Sequence, residues 1–123
     1  IPVSVGDGGA LTYGSGYLYA FGGGNTNFWR YNSDSWTALA NTPNMVGEGA
    51  SLTWTGNDHI FAWPGGNSNH FWRYDITNDS WITLHSTPTQ VGKGGDLVSH
   101  NSEIYAIRGG SSDDIWTYQP VEY

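Results

Sequence analysis

Two arginines of this 123-residue chain stand in the same context, each following a tryptophan in an apolar stretch: Phe-Trp-Arg-Tyr at 28–31 and again at 71–74. An acid recurs as well, Asp7 and then Glu48, each held between two glycines. A guanidinium in an apolar strand needs a partner, so Arg30 and Arg73 are expected to form internal ion pairs with Asp7 and Glu48; ligand binding is the competing use. At the matching positions further on, Thr117 and Lys93 replace arginine and acid together.

A second group of polar residues follows the glycine clusters: Asn25, Asn27, Asn67, Asn69, His70, Asp113 and Asp114. Gathered on one face, they would form a hydrogen-bonding surface, because binding residues often ride on loops held by a rigid scaffold. Their bland reading is solvated turns, which these residue types favour. Five tryptophans, Trp29, Trp72, Trp116, Trp36 and Trp81, hold patterned positions that suit packing. Trp54 and Trp63 do not recur, and their rings could instead stack on a sugar.

Catalytic and metal chemistry find no foothold. His59, His70, His85 and His100 show no recurrent spacing with carboxylates, and there is no cysteine, so no metal site is expected. Asp113-Asp114 lacks the spaced acids of a calcium loop. Gly22-Gly23-Gly24 is not followed by Gly-Lys-Ser/Thr, so it is not a phosphate loop. No Gly-x-Ser-x-Gly occurs, and no catalytic residue or cofactor is expected.

The elements that must position these residues come in repeats, and a fixed period outranks any local assignment. Gly6-Asp7-Gly8, Gly47-Glu48-Gly49 and Gly92-Lys93-Gly94 step by 41 and then 45 residues, as do Leu11, Leu52 and Leu97. The glycine pairs Gly22-Gly23, Gly65-Gly66 and Gly109-Gly110 step by 43 and 44, and so do Phe28-Trp29, Phe71-Trp72 and Ile115-Trp116. Pro2, Pro43 and Pro88 mark the joints. Such a period fits four strands of about 5–6 residues with short turns. In the middle unit, alternation places strands at 49–54, 59–63, 71–74 and 80–84, with no helical stripe. Ile60 and Ala62 alternate with Phe61 and Trp63, apolar on both sides, as in a sheet covered on both faces.

The diglycine after an apolar strand, the Phe-Trp-Arg-Tyr strand, Trp36 or Trp81 and the proline joint together resemble the kelch-type β-propeller repeat, over essentially the whole chain. The resemblance implies an all-β propeller segment of nearly three four-stranded antiparallel blades in one domain, 1–123. The blades are expected at about 6–41, 47–86 and 92–123, the third without a fourth strand. Galactose oxidase is built on a similar propeller, but its copper site needs a cysteine cross-linked to tyrosine, which this chain cannot supply.

A net charge of −7 gives no basic footprint for nucleic acid or anionic lipid. No apolar run of about 18 residues could span a membrane as a helix. No basic and apolar leader opens the sequence, so no signal peptide is expected in this form. Ile1 in place of Met fits a processed chain or a segment of a longer protein. Few lysines and many Asn, Ser and Thr suit an extracellular or cell-surface propeller. Asn78-Asp79-Ser80 matches the N-glycosylation triplet, although it also serves as a turn.

Propellers close rings of typically 4–8 blades, so the outer faces of this segment are expected to meet further blades. These could come from a second copy in a homodimer ring, from copies in a head-to-tail filament, or from the rest of a longer chain. The function expected is a non-enzymatic module for protein or glycan binding or extracellular structural assembly. The alternative is a fragment of a propeller enzyme acting on sugars, its catalytic residues lying in absent blades.

Overall fold

A computed structural model describes residue 2 and residues 4–120. The expected joint at the start and the end of the third blade therefore lie partly outside the described residues. Those described form an all-β structure. The first sheet runs β1 (Ala10–Gly14), β2 (Tyr17–Phe21), β3 (Phe28–Tyr31), β4 (Trp36–Ala38), in that order across the sheet. The second is β5 (Ser51–Trp54), β6 (His59–Trp63), β7 (Trp72–Asp75), β8 (Ser80–Thr83). The third is β9 (Asp96–His100), β10 (Glu103–Ile107), β11 (Ile115–Tyr118). All neighbours are antiparallel. These are propeller-like blades of four, four and three strands.

Register identifies the repeat residue by residue. Ala10 pairs with Phe21, Ser51 with Trp63 and Asp96 with Ile107, so these positions are equivalent in the three blades. The first strands β1, β5 and β9 sit side by side, which explains the small residues at their starts. The two interblade cores follow from alternation. Tyr19, Phe21 and Phe28 of the first blade meet Leu52, Ile60, Trp72, Tyr74 and Trp81 of the second. Phe61, Trp63 and Phe71 of the second meet Leu97, Ile104 and Trp116 of the third. Val46 and Val91, closing the two Thr-Pro joints, are fully buried against these cores.

The turns obey their residue types. Ser15-Gly16 and Asn101-Ser102 carry positive φ at both central positions, as a two-residue hairpin requires. Asn32 Oδ1 accepts from the amides of Asp34 and Ser35, closing the β3–β4 turn with a side chain. Tyr31 pairs with Trp36 and Tyr74 with Trp81, so the unequal spacing between those residues is absorbed entirely in the turn.

One alignment read from sequence is shifted by a residue. The joint amides of Gly6, Gly47 and Gly92 donate to the carbonyls of Gly22, Pro64 and Arg108, which makes those three equivalent. The left-handed pair that follows is then Gly23-Gly24, Gly65-Gly66 and Gly109-Gly110, not Gly22-Gly23. Three consecutive glycines at 22–24 left the choice open on composition, and the backbone resolves it. The second and third blades extend the left-handed run through Asn67 (φ 59°) and Ser111 (φ 63°).

Candidate functional site

The loops between second and third strands and the joints meet at one end of the blades. Gly24 donates to Val46 O and Val46 to Asn25 O; Gly66 donates to Glu48 O and Asn67 to Val91 O. The result is a groove of about 600 Å³ between the first two blades, lined by Asp7, Asn44, Met45, Glu48, Ser68 and His70 among others. Asn67 and Asn69 are exposed beside it, and the His70 ring stacks on Trp72 at 6.3 Å. Asn25 is turned inward on its own loop, its Oδ1 accepting from Asn27 N at 2.9 Å. Asp113 and Asp114 line a separate depression with Gly94, Ile107 and Ile115. Asp114 is paired there with Arg108 at 3.0 Å, while Arg108 Nε donates to Gln90 O. Of the seven loop residues, His70 thus lines the first hollow and Asp113 and Asp114 the second.

The arginines do not meet the joint acids. Arg73 forms its ion pair with Asp75, Nε to Oδ1 at 2.7 Å, and His59 Nε2 stands 3.5 Å from the same oxygen. Residues two apart on a strand share a face, and His59 is the cross-strand partner of Asp75, so the three gather at the far end of the blade from Glu48. In the first blade Asn32 holds the position of Asp75, and Arg30 lies instead over the Tyr17 ring at 4.2 Å, a cation–π contact. Asp7 and Glu48 are exposed at the groove. The expectation paired recurrent acid with recurrent arginine; the Arg-x-Asp spacing of 73 and 75 was the signal that placed the partner.

Trp63 is 1 % exposed and packs edge-on to Trp116 at 6.1 Å between the second and third blades. Trp54 is half-buried at the opposite end from the groove, where its Nε1 donates to Asn57 O and its ring meets Tyr13. Neither ring joins the groove. Among the described residues no cluster of His, Asp or Glu could hold a metal ion. Asn78 is exposed in the β7–β8 turn. A polar seam missed in the sequence ties the inner strands together: Ser51 Oγ donates to Asp96 Oδ1 and accepts from Leu97 N, and Ser99 Oγ donates to Trp54 O at 2.6 Å.

Two tyrosine hydroxyls are held neutral. Burial pushes the Tyr74 pKa up, and its hydrogen bond to Asp79 Oδ1, 2.6 Å long, adds to that. Burial also raises Tyr19, with the nearby Arg30 charge opposing in part. The same Asp79 oxygen accepts from Ala40 N, and Trp81 Nε1 donates to Ala40 O, so the end of the first blade is clamped by the outer strand of the second.

No family model matches the chain, nor does any curated protein. Solved structures do: that of YjhT aligns with a TM-score of 0.72 at 19% identity, over 85% of this chain and 34% of that one. The chain therefore spans about a third of the length of that neighbour. At this identity the likeness speaks for the fold alone.

Proposed function

We propose that the chain is a kelch-like propeller segment acting without catalysis, as an assembly and recognition module whose outer blades are continued by further blades. What supports this is the match between its two outer faces. In the first interface the face bearing Leu52, Ile60, Trp72 and Trp81 receives Phe21 and Phe28. The first blade carries Leu11, Leu18, Trp29 and Trp36 at the same positions on its outer side, with Leu11 64 % exposed. The third blade carries Ile107 and Ile115 where Phe21 and Phe28 stand, with Ile115 69 % exposed. An apolar recess of about 450 Å³, lined by Val5, Leu11, Ala20, Phe21 and Trp36, lies on the receiving side. The faces are unlike and complementary, so they join head to tail, closing a ring or running on as a filament. A second copy would complete such an arrangement, as would the remaining blades of a longer chain. The groove at the joint end, with Asp7, Glu48, Ser68 and His70, then offers hydrogen-bonding groups to a glycan or to a protein loop.

The test is analytical ultracentrifugation of Leu11→Asp and Ile115→Asp chains, alone and mixed. Head-to-tail joining predicts that the native chain associates and that each variant alone is monomeric. The mixture should form a dimer that grows no further, since one face on each chain is intact. A native chain that stays monomeric at all concentrations would remove self-completion and leave only blades of a longer chain. Variants that each still dimerise would refute head-to-tail joining.

A further inference from the structure

The two complete blades differ in length at the turn between their third and fourth strands: Trp36 stands five residues after Tyr31, Trp81 seven after Tyr74. In the shorter turn the fold consumes the asparagine, since Asn32 Oδ1 accepts from Asp34 N and Ser35 N. The longer turn is closed by other side chains. Asp58 Oδ1 accepts from Thr77 N at 3.1 Å and from Thr77 Oγ1 at 2.6 Å, tying the turn to the neighbouring β5–β6 hairpin. Asp79 N donates to Ile76 O, and Asp79 Oδ1 accepts from the Tyr74 hydroxyl and from Ala40 N of the first blade.

Asn78 lies between these two anchored residues. It is exposed, and among the described residues its side chain has no hydrogen-bond partner. Asparagine suits turns because it bonds nearby backbone or tolerates a left-handed φ. Asn78 does neither; the left-handed residue here is Asp79, at φ 48°. The needs of the turn therefore do not account for it. What remains is the triplet Asn78-Asp79-Ser80, the acceptor pattern for N-linked oligosaccharide, which no other asparagine of the chain shares. Ser80, its hydroxyl residue, opens β8, and the side chain likewise has no hydrogen-bond partner among the described residues.

We propose that Asn78 is an N-glycosylation site, carrying an oligosaccharide headed by N-acetylglucosamine. The donor class is a lipid-pyrophosphate-linked oligosaccharide, met with its transferase in a secretory compartment. Asn78 Nδ2 bonds to the anomeric carbon, the bond from that carbon to the pyrophosphate oxygen breaks, the lipid pyrophosphate leaves with the electron pair, and the amide gives up one proton. The turn lies at the end of the blades opposite the groove, so the glycan leaves the groove open. It also stands on the middle blade, both of whose faces are covered, so the site holds or fails independently of head-to-tail joining.

The chain is secreted from cultured animal cells behind a cleavable leader, and its intact mass is measured before and after treatment with peptide N-glycosidase. A glycan is expected on the secreted chain, removed by the enzyme with aspartate left at position 78. Asn78→Gln and Ser80→Ala should abolish it and Ser80→Thr should keep it, each variant secreted with the circular dichroism of the native chain. A secreted native chain of unmodified mass would overturn the proposal, as would a glycan that persists in Asn78→Gln. A glycan confined to a retained, unfolded fraction, with the folded chain bare, would show that the folded turn does not admit it and would refute it as well.

Discussion

Gly65 sits at φ 63°, and a Cβ there would run into the carbonyl of Glu48 and come within 2.6 Å of Ala50 N. A left-handed alanine costs roughly 1–2 kcal/mol before any clash, so Gly65→Ala should lose more than about 2 kcal/mol in urea unfolding. Gly16→Ala, with φ 93° and nothing within 4 Å, should lose only that backbone cost, about 1–2 kcal/mol. The tyrosines carry a pH prediction. Tyr19 and Tyr74 have pKa values raised in the folded state above the ordinary 10.0. The folded state thus holds those protons more tightly, and the stability this represents is complete below about pH 10 and is lost as pH rises beyond it. Absorbance at 295 nm should show these two ionising only as circular dichroism reports unfolding. Their ionisation at the ordinary pKa with the fold intact would contradict the burial. Glycine roles were legible in the sequence wherever a pair stood alone, as at 65–66. They were blurred at 22–24, where a third glycine conceals the joint carbonyl that fixes the alignment.

Within the blades, the strands found at 51–54, 72–75 and 80–83 fall within two residues of those read from alternation, because two covered faces leave little freedom of register. Side-chain partners were harder to read. Recurrence linked Arg73 to Glu48, whereas strand geometry links it to Asp75. Asp75→Ala should therefore cost about 1–3 kcal/mol in urea unfolding, since it strips a half-buried guanidinium of its partner. Glu48→Ala, at an exposed joint, should fall within about 0.5 kcal/mol of the native chain. Equal losses would contradict the pairing. Arg108 with Asp114, and the Ser51–Asp96 seam, were invisible because each belongs to one copy and has no counterpart to draw attention to it.

At the scale of the molecule, the two outer faces leave large apolar side chains exposed, Leu11 on one and Ile115 on the other. Leu11, Leu18, Ile107 and Ile115 would each contribute roughly 1.5–3 kcal/mol if fully buried, against an association cost of about 4–15 kcal/mol. The aromatic neighbours Trp29, Trp36 and Tyr105 must therefore share in any stable contact. On the proposed head-to-tail joining, one charge at Leu11 or Ile115 should therefore abolish association in the ultracentrifuge. Blade order could be read from the repeat, but the difference between the two outer faces and the edge-on packing of Trp63 against Trp116 could not, because they depend on register and ring orientation. The joints carry a last implication. A Cβ on Gly8 would strike the carbonyl of Gly47, and one on Gly49 the carbonyl of Gly92. Main chain thus abuts main chain between the joints, so the angle from one blade to the next rests on a backbone contact that only glycine at these positions permits, and substitutions in the polar loops away from it leave that contact untouched.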